Sequence, residues 1–189
     1  MKAVIIGTAG RSHKELLTDK TWSNMVAKAR ELVPKGAMGI SGGAAWADHI
    51  AVELYRLGHL SQLMLHLPAP IDNVSCCFVG GYMGGPKSAA SAANYYHGMF
   101  SQVLQRNTLQ DIVEAIQTIG CGYTFQPPDM GLRAMFVRNA LVAKEVCEGD
   151  MALAYTWDRG ELSDSGTKNT WDQIKISNKQ HVSMFDMVI

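Results

Sequence analysis

A surplus of charge of either sign is missing from this sequence. Lys and Arg together number 17, as do Asp and Glu, so the formal net charge is zero at pH 7. A protein held to nucleic acid or to an anionic membrane by a general electrostatic pull carries a basic excess, so any nucleic-acid role would have to rest on a local patch. Long apolar runs are missing as well. No stretch approaches the roughly 18 uninterrupted residues of a membrane span. The amino terminus leads straight into a strand, not into a charged segment followed by an apolar one. These absences predict a cytoplasmic protein without a membrane partner. Cysteine is sparse: Cys76, Cys77, Cys121 and Cys147 contain no CxxC pair, which fits neither a zinc site nor a disulfide framework and predicts reduced, mostly buried thiols. His13, His49, His59, His66, His97 and His181 form no HxxxH or HxH spacing, so no metal site and no cofactor are expected.

What is present is core. With 189 residues, 47% of them hydrophobic, the chain suits one α/β domain spanning residues 1–189. Lys2-Ala3-Val4-Ile5-Ile6 is a β-branched apolar run ending at Gly7, the mark of a strand buried on both faces. Thr21 is a candidate N-cap for a helix carrying Trp22, Met25, Val26, Ala29, Leu32 and Val33 at helical spacing. Met38-Gly39-Ile40 predicts a second strand, Trp46 to Leu57 a second helix, and Leu63 to Leu67 a third strand. Short strand–helix periods require parallel pairing with right-handed crossovers. The fold expected is therefore a three-layer Rossmann-like parallel sheet with helices on both faces.

From Ile71 to about Met130 the pattern loosens into an inserted segment. It contains Gly80-Gly81-Tyr82-Met83-Gly84-Gly85-Pro86, small residues from Ser88 to Ala93, and then Asn94-Tyr95-Tyr96-His97. It reads either as a surface elaboration or as a lid over a ligand site. A helix from Leu109 to Ile119 and a strand near Gly122 to Phe125 are expected inside it. Beyond it come a helix from Gly131 to about Lys144, a buried strand from Asp150 to Thr156, a helix from Ser165 through Ile174, and a closing strand from Gln180 to Met187 with Met184 and Met187 as core filler.

In an open parallel sheet, ligands bind beyond the carboxyl ends of the strands, where glycine turns admit backbone amides and helix N-termini offer positive dipole. Three such turns occur: Gly7-Thr8-Ala9-Gly10-Arg11, Ser41-Gly42-Gly43 and Ser165-Gly166-Thr167. Each alone is commonly just a turn, but three at one edge point to a phosphate-bearing ligand. The first lacks full GxGxxG spacing and none is GxxxxGKS/T, which disfavours ordinary NAD dehydrogenases and kinases. Trp46 follows the second turn, to stack on a base or to be buried at a helix start. Asp48 stands there as a helix-start carboxylate or a reactive one. His97 beside Tyr95-Tyr96 reads as packing or as a proton donor to a base.

Gly7-Thr8-Ala9-Gly10-Arg11, Ser41 to Asp48, Arg138-Asn139 ahead of Asp150 to Ala154, and Ser165-Gly166-Thr167-Lys168-Asn169-Thr170 resemble, in this order, the motifs of the SLOG superfamily. That superfamily comprises Rossmann-like nucleotide-binding proteins, among them LOG phosphoribohydrolases, nucleotide N-glycosidases and the DNA-processing protein DprA. The resemblance covers roughly residues 1–67 and 131–189. The wider chain, including Leu65 to Pro70 and Ala92 to His97, is also similar to uncharacterised proteins of T4-type bacteriophages, which would place it in a host cytoplasm. The resemblance implies that Ser165, Gly166 and Thr167 receive a phosphate, with Thr170 one turn on. It gives Arg138 the role of a phosphate-matching guanidinium beside Asn139. Gly7, Thr8, Gly10 and Arg11 would line the ribose or a second phosphate, and Ser41, Gly42 and Gly43 the base or sugar side. It also implies a homodimer.

One departure matters. In the LOG and N-glycosidase branches a catalytic Glu lies three residues after the Gly-Thr pair, where this chain has Thr170. Glycosidic hydrolysis needs a carboxylate near the anomeric carbon, and Asp48, Glu53 and Asp172 are the nearest substitutes. The expected function is nucleotide binding, with hydrolysis of a (deoxy)nucleoside 5'-monophosphate or related nucleotide resting on Asp48 or Asp172. The alternative is a non-catalytic sensor or sequestering protein for a nucleotide or NAD-derived signal. Single-stranded DNA binding needs a basic groove with stacking aromatics, and the chain has no Lys/Arg run.

Overall fold

A computed structural model of the chain describes residues 1–80, 88–163 and 165–188. At its centre is β1 (Lys2–Gly7), whose Ala3, Val4, Ile5 and Ile6 are all buried. Successive side chains of a strand point to opposite faces, and the two faces are covered by different helices. Ala3 and Ile5 pack among α1 (Asp19–Leu32), α2 (His49–Arg56), α3 (Ala89–Leu104) and α4 (Thr108–Ile116). Val4 and Ile6 join Ile40, Val142, Ala143 and Ile174 on the side of α5 (Arg133–Lys144) and α6 (Gly166–Gln173). This is the expected three-layer, Rossmann-like α/β arrangement.

The other strands of the sheet are β2 (Met38–Ser41), β3 (Gln62–Leu67), β6 (Cys121–Phe125), β7 (Met151–Thr156) and β8 (Lys179–Ser183). All pair in parallel, in the order β6-β3-β2-β1-β7-β8. The chain therefore builds outward from β1 to one edge, then returns to β1 and builds outward the other way. The reversal lies between β1 and β7, where the crossovers diverge and leave a crevice at the carboxyl ends of the strands.

Several boundaries differ from the sequence expectation, each for a local reason. The cap of α1 is Thr18, whose Oγ1 accepts the Thr21 N–H at 3.1 Å. Thr21 is itself buried, and its hydroxyl donates to Leu16 O at 2.6 Å. Trp46–Asp48 forms a 3₁₀ turn before α2 instead of a first α-helical turn. The closing strand ends at Ser183, because Met184–Met187 winds into a 3₁₀ turn that still buries Met184 and Met187.

The insertion is more regular than its composition suggests. Ile71–Asp72 (β4) and Cys77–Phe78 (β5) form a small antiparallel ribbon. Ser88 then caps α3, which buries Ala89, Ala90, Ala93, His97 and Phe100 at helical spacing. The expected glycine-rich lid at residues 81–86 falls outside the described residues. The four cysteines are free, but only Cys76 is buried, Cys77 and Cys121 being half-buried and Cys147 exposed. Among the described residues, no helix is long and apolar enough to cross a membrane.

Candidate functional site

The crevice at the β1/β7 reversal holds a cavity of 440 Å³. Its floor is the junction of the two strands. A Cβ on Gly7 would lie 2.1 Å from the Tyr155 carbonyl oxygen, so only glycine lets β1 end against β7. Thr8 continues the contact, its N–H donating to Tyr155 O at 2.8 Å.

One wall is the start of α6. Ser165 caps this helix by accepting the Lys168 N–H at 3.2 Å. Asn139 Nδ2 and Thr170 Oγ1 both donate to Gly166 O, at 3.2 and 3.1 Å, and so fix the first turn to α5 and to itself. The N–H groups of Gly166 and Thr167 sit in that first turn, where a helix offers them no acceptor. Both residues line the cavity.

The opposite wall carries a buried ion pair. Arg138 reaches from α5 to Asp48, with Nη1 to Oδ2 at 2.8 Å, and the two side chains are 9% and 5% exposed. Asp48 also accepts the Gly7 N–H at 3.2 Å and the Ala44 N–H at 3.4 Å. The guanidinium packs directly against Gly42, where a Cβ would sit 1.5 Å from Nη1. Arg138 Nε is buried and has no hydrogen-bond partner, so part of a cavity-lining cation is uncommitted. Arg11 completes the cationic side from the exposed rim, its guanidinium carbon 5.3 Å from the Tyr96 ring centre of α3.

Gly7, Thr8, Arg11, Asp48, Arg138, Asn139, Ser165, Gly166, Thr167 and Thr170 thus border one cavity. The second glycine turn does not line it. Ser41 is fully buried and donates to the Asp48 carbonyl at 2.8 Å, Gly42 underlies Arg138, and Gly43 accepts from His97 Nε2 at 3.0 Å. That turn builds the Asp48–Arg138 wall rather than a base or sugar contact. Gly10 is buried against Trp46, away from the cavity lining.

Trp46 is corrected from a base-stacking candidate to a core residue. It is 2% exposed, with ring centres 4.6 Å from Phe100 and 6.4 Å from Trp22. Asp172 is corrected likewise: it faces outward on α6 and pairs with Lys168 at 2.9 Å, off the cavity. Glu53 is tied to Arg56 and Arg106 on the other face of the sheet. His97 is packing, not chemistry, because it is fully buried between Gly43 and Thr108. Burial, with His49 nearby, pushes its pKa down to about 3.

Sequence reasoning missed the tip of β7 and the outer half of α5. Thr156 Oγ1 donates to Asp158 Oδ2 at 2.9 Å and is bonded to His181 Nε2 at 2.9 Å. Ser163 N–H also reaches Asp158 Oδ2, at 3.2 Å. Burial raises the pKa of Asp158, but the bonds from Ser163 and Thr156 outweigh it and hold the carboxyl below its ordinary value. Thr156 and Asp158 both line the cavity. Their signal was positional: they follow the strand that faces β1 across the reversal. Leu132, Met135 and Phe136 line it from α5.

No family model matches the chain. An uncharacterised protein of Acanthamoeba polyphaga mimivirus is 28% identical over 193 residues, covering 97% of this chain and 96% of that relative. The likeness runs the length of both proteins, insertion included, and links this chain to a viral protein.

Proposed function

We propose that the protein binds a nucleotide through its phosphate at the α6 N-terminus. One observation carries this reading: the acceptor-less amides of Gly166 and Thr167 and the partly uncommitted guanidinium of Arg138 border the same cavity at the strand-order reversal. Amides at a helix start and an arginine are complementary to phosphate oxygens in both charge and geometry. Membership of the SLOG superfamily belongs to the same proposal, supported by residues of all four of its motifs lining the cavity, the second through Ala44 and Asp48.

Binding without turnover is the preferred form. Asp172 lies outside the cavity, Asp48 is committed to Arg138 and two backbone amides, and Thr170 spends its hydroxyl on Gly166. That leaves no free carboxylate among those the sequence put forward. Hydrolysis stands as the second reading on one residue, Asp158, which lines the cavity with its carboxyl held low.

The test is a thermal-shift screen against nucleoside monophosphates, cyclic nucleotides, NAD and ADP-ribose, with each stabilising compound then incubated and resolved by chromatography. A ligand at about 100 times its dissociation constant stabilises by roughly 2.7 kcal/mol. Stabilisation with intact ligand is the expected result. Release of base or phosphate, abolished by Asp158→Asn, would replace binding with hydrolysis. No shift with any compound refutes the phosphate cradle.

A further inference from the structure

The outer half of α5 presents a feature that a phosphate cradle does not use. Leu132, Met135, Phe136, Asn139 and Val142 fall at the spacing of one helix face, and all five line the cavity. The inner end of this stripe is covered: Val142 is 1% exposed and Asn139 9%. The outer end is not, Leu132 being 48% and Phe136 59% exposed. An exposed aromatic beside an aliphatic side chain costs hydration, and here both stand along a cavity wall that turns cationic within one helical turn, at Arg138. A ligand with an anionic end and a flat apolar end matches that sequence of surfaces. A sugar phosphate matches only half of it.

We infer that Phe136 and Leu132 form the base subsite, the nucleobase stacking on the Phe136 ring while the phosphate lies at Gly166, Thr167 and Arg138. This rests on the phosphate reading above and deepens it: the ligand is a nucleotide recognised by its base, not a phosphorylated sugar. The flat face of the ring accepts any base, so Phe136 supplies affinity rather than base identity. The role sequence reasoning gave to Trp46 belongs in the structure to a residue on a different helix, one that points to solvent rather than into the core.

The test compares dissociation constants by calorimetry for AMP, GMP, CMP, UMP, ribose 5-phosphate and inorganic phosphate, on wild type, Phe136→Ala and Phe136→Tyr. Because Phe136 is mostly exposed, both variants fold. Wild type is expected to bind at least one nucleoside monophosphate about tenfold or more tighter than ribose 5-phosphate, in line with stacking on one aromatic ring. Phe136→Ala closes that gap without weakening ribose 5-phosphate, and Phe136→Tyr keeps it. A gap that persists in Phe136→Ala, or no gap in wild type while ribose 5-phosphate binds, overturns the base subsite and leaves the phosphate cradle standing. If none of the six compounds binds wild type, this inference fails, and the nucleotide reading fails with it only when the cyclic nucleotides, NAD and ADP-ribose of the thermal-shift screen also give no shift.

Discussion

Replacing Arg138 with Met leaves its buried partner without a counter-charge, and the size of the penalty follows from what remains around Asp48. The methionine keeps an unbranched stem over Gly42 but no donor. Asp48, 3% exposed, is left with the Gly7 and Ala44 amides at 3.2 and 3.4 Å, both long for bonds meant to hold a carboxylate. Removing one partner of a buried pair typically costs about 3–5 kcal/mol. We therefore expect Arg138→Met to lose about 3–5 kcal/mol, lowering Tm by roughly 6–20 °C for a chain of this length. Asp48→Asn combined with Arg138→Met removes the stranded charge and recovers about 2 kcal/mol relative to Arg138→Met alone. Urea denaturation of wild type, single and double variants measures all of this. A single variant within about 1 kcal/mol of wild type, or a double variant no more stable than the single, refutes a buried pair at this wall.

Three further outcomes are expected. Trp46→Ala destabilises the protein by about 3–5 kcal/mol, as for a large core aromatic; loss of ligand affinity with unchanged stability would return Trp46 to the binding site. Asp172→Asn shifts stability by less than about 0.5 kcal/mol and leaves binding and any turnover unchanged, whereas loss of either in the thermal-shift and chromatography assays would put Asp172 back in the chemistry. His97 has a folded pKa of about 3 against an ordinary 6.5, so below pH 6.5 the unfolded chain takes up the proton first. Its contribution is complete above pH 6.5 and declines by about 1.4 kcal/mol per pH unit as pH falls toward 3. His97→Gln, whose amide can still donate to Gly43 O, should show a shallower loss of stability than wild type between pH 6 and pH 4 in urea titrations; parallel profiles would refute it.

What was legible in the sequence and what was not divides along a physical line. β1, β7 and the middle of β3 are buried on both faces, so their unbroken apolar runs carry the assignment without help from tertiary contacts. The cap of α1 was misplaced by three residues, from Thr18 to Thr21, because two threonines stand at that helix start and only the backbone shows which one accepts the other's N–H. α3 was not legible. Its alanines are good helix formers, but the small residues and nearby glycines masked a spacing that is evident only when His97 and Phe100 are set beside Ala89, Ala90 and Ala93. Trp46 follows from that omission. A large ring after a glycine turn is drawn to whichever apolar surface is available, and the surface it found is Phe100 on the unrecognised helix. The Asp48–Arg138 pair spans 90 positions of sequence, so both residues could be named as candidates while their mutual neutralisation could not.

That neutralisation changes the electrostatics of the cavity. Its lining contains two arginines, Arg11 and Arg138, and two aspartates, Asp48 and Asp158, so the zero net charge of the whole chain recurs in its candidate site. With Arg138 balanced by Asp48, most of the attraction for an anion has to come from the uncompensated amides of Gly166 and Thr167, and from Arg11 at the rim. Fixed backbone dipoles act over a turn of helix and no further. A ligand is therefore selected at contact and not drawn in from a distance. This suits a compact phosphate ester that enters the cavity whole, and argues against an extended polyanion, which needs a surface field this chain does not have.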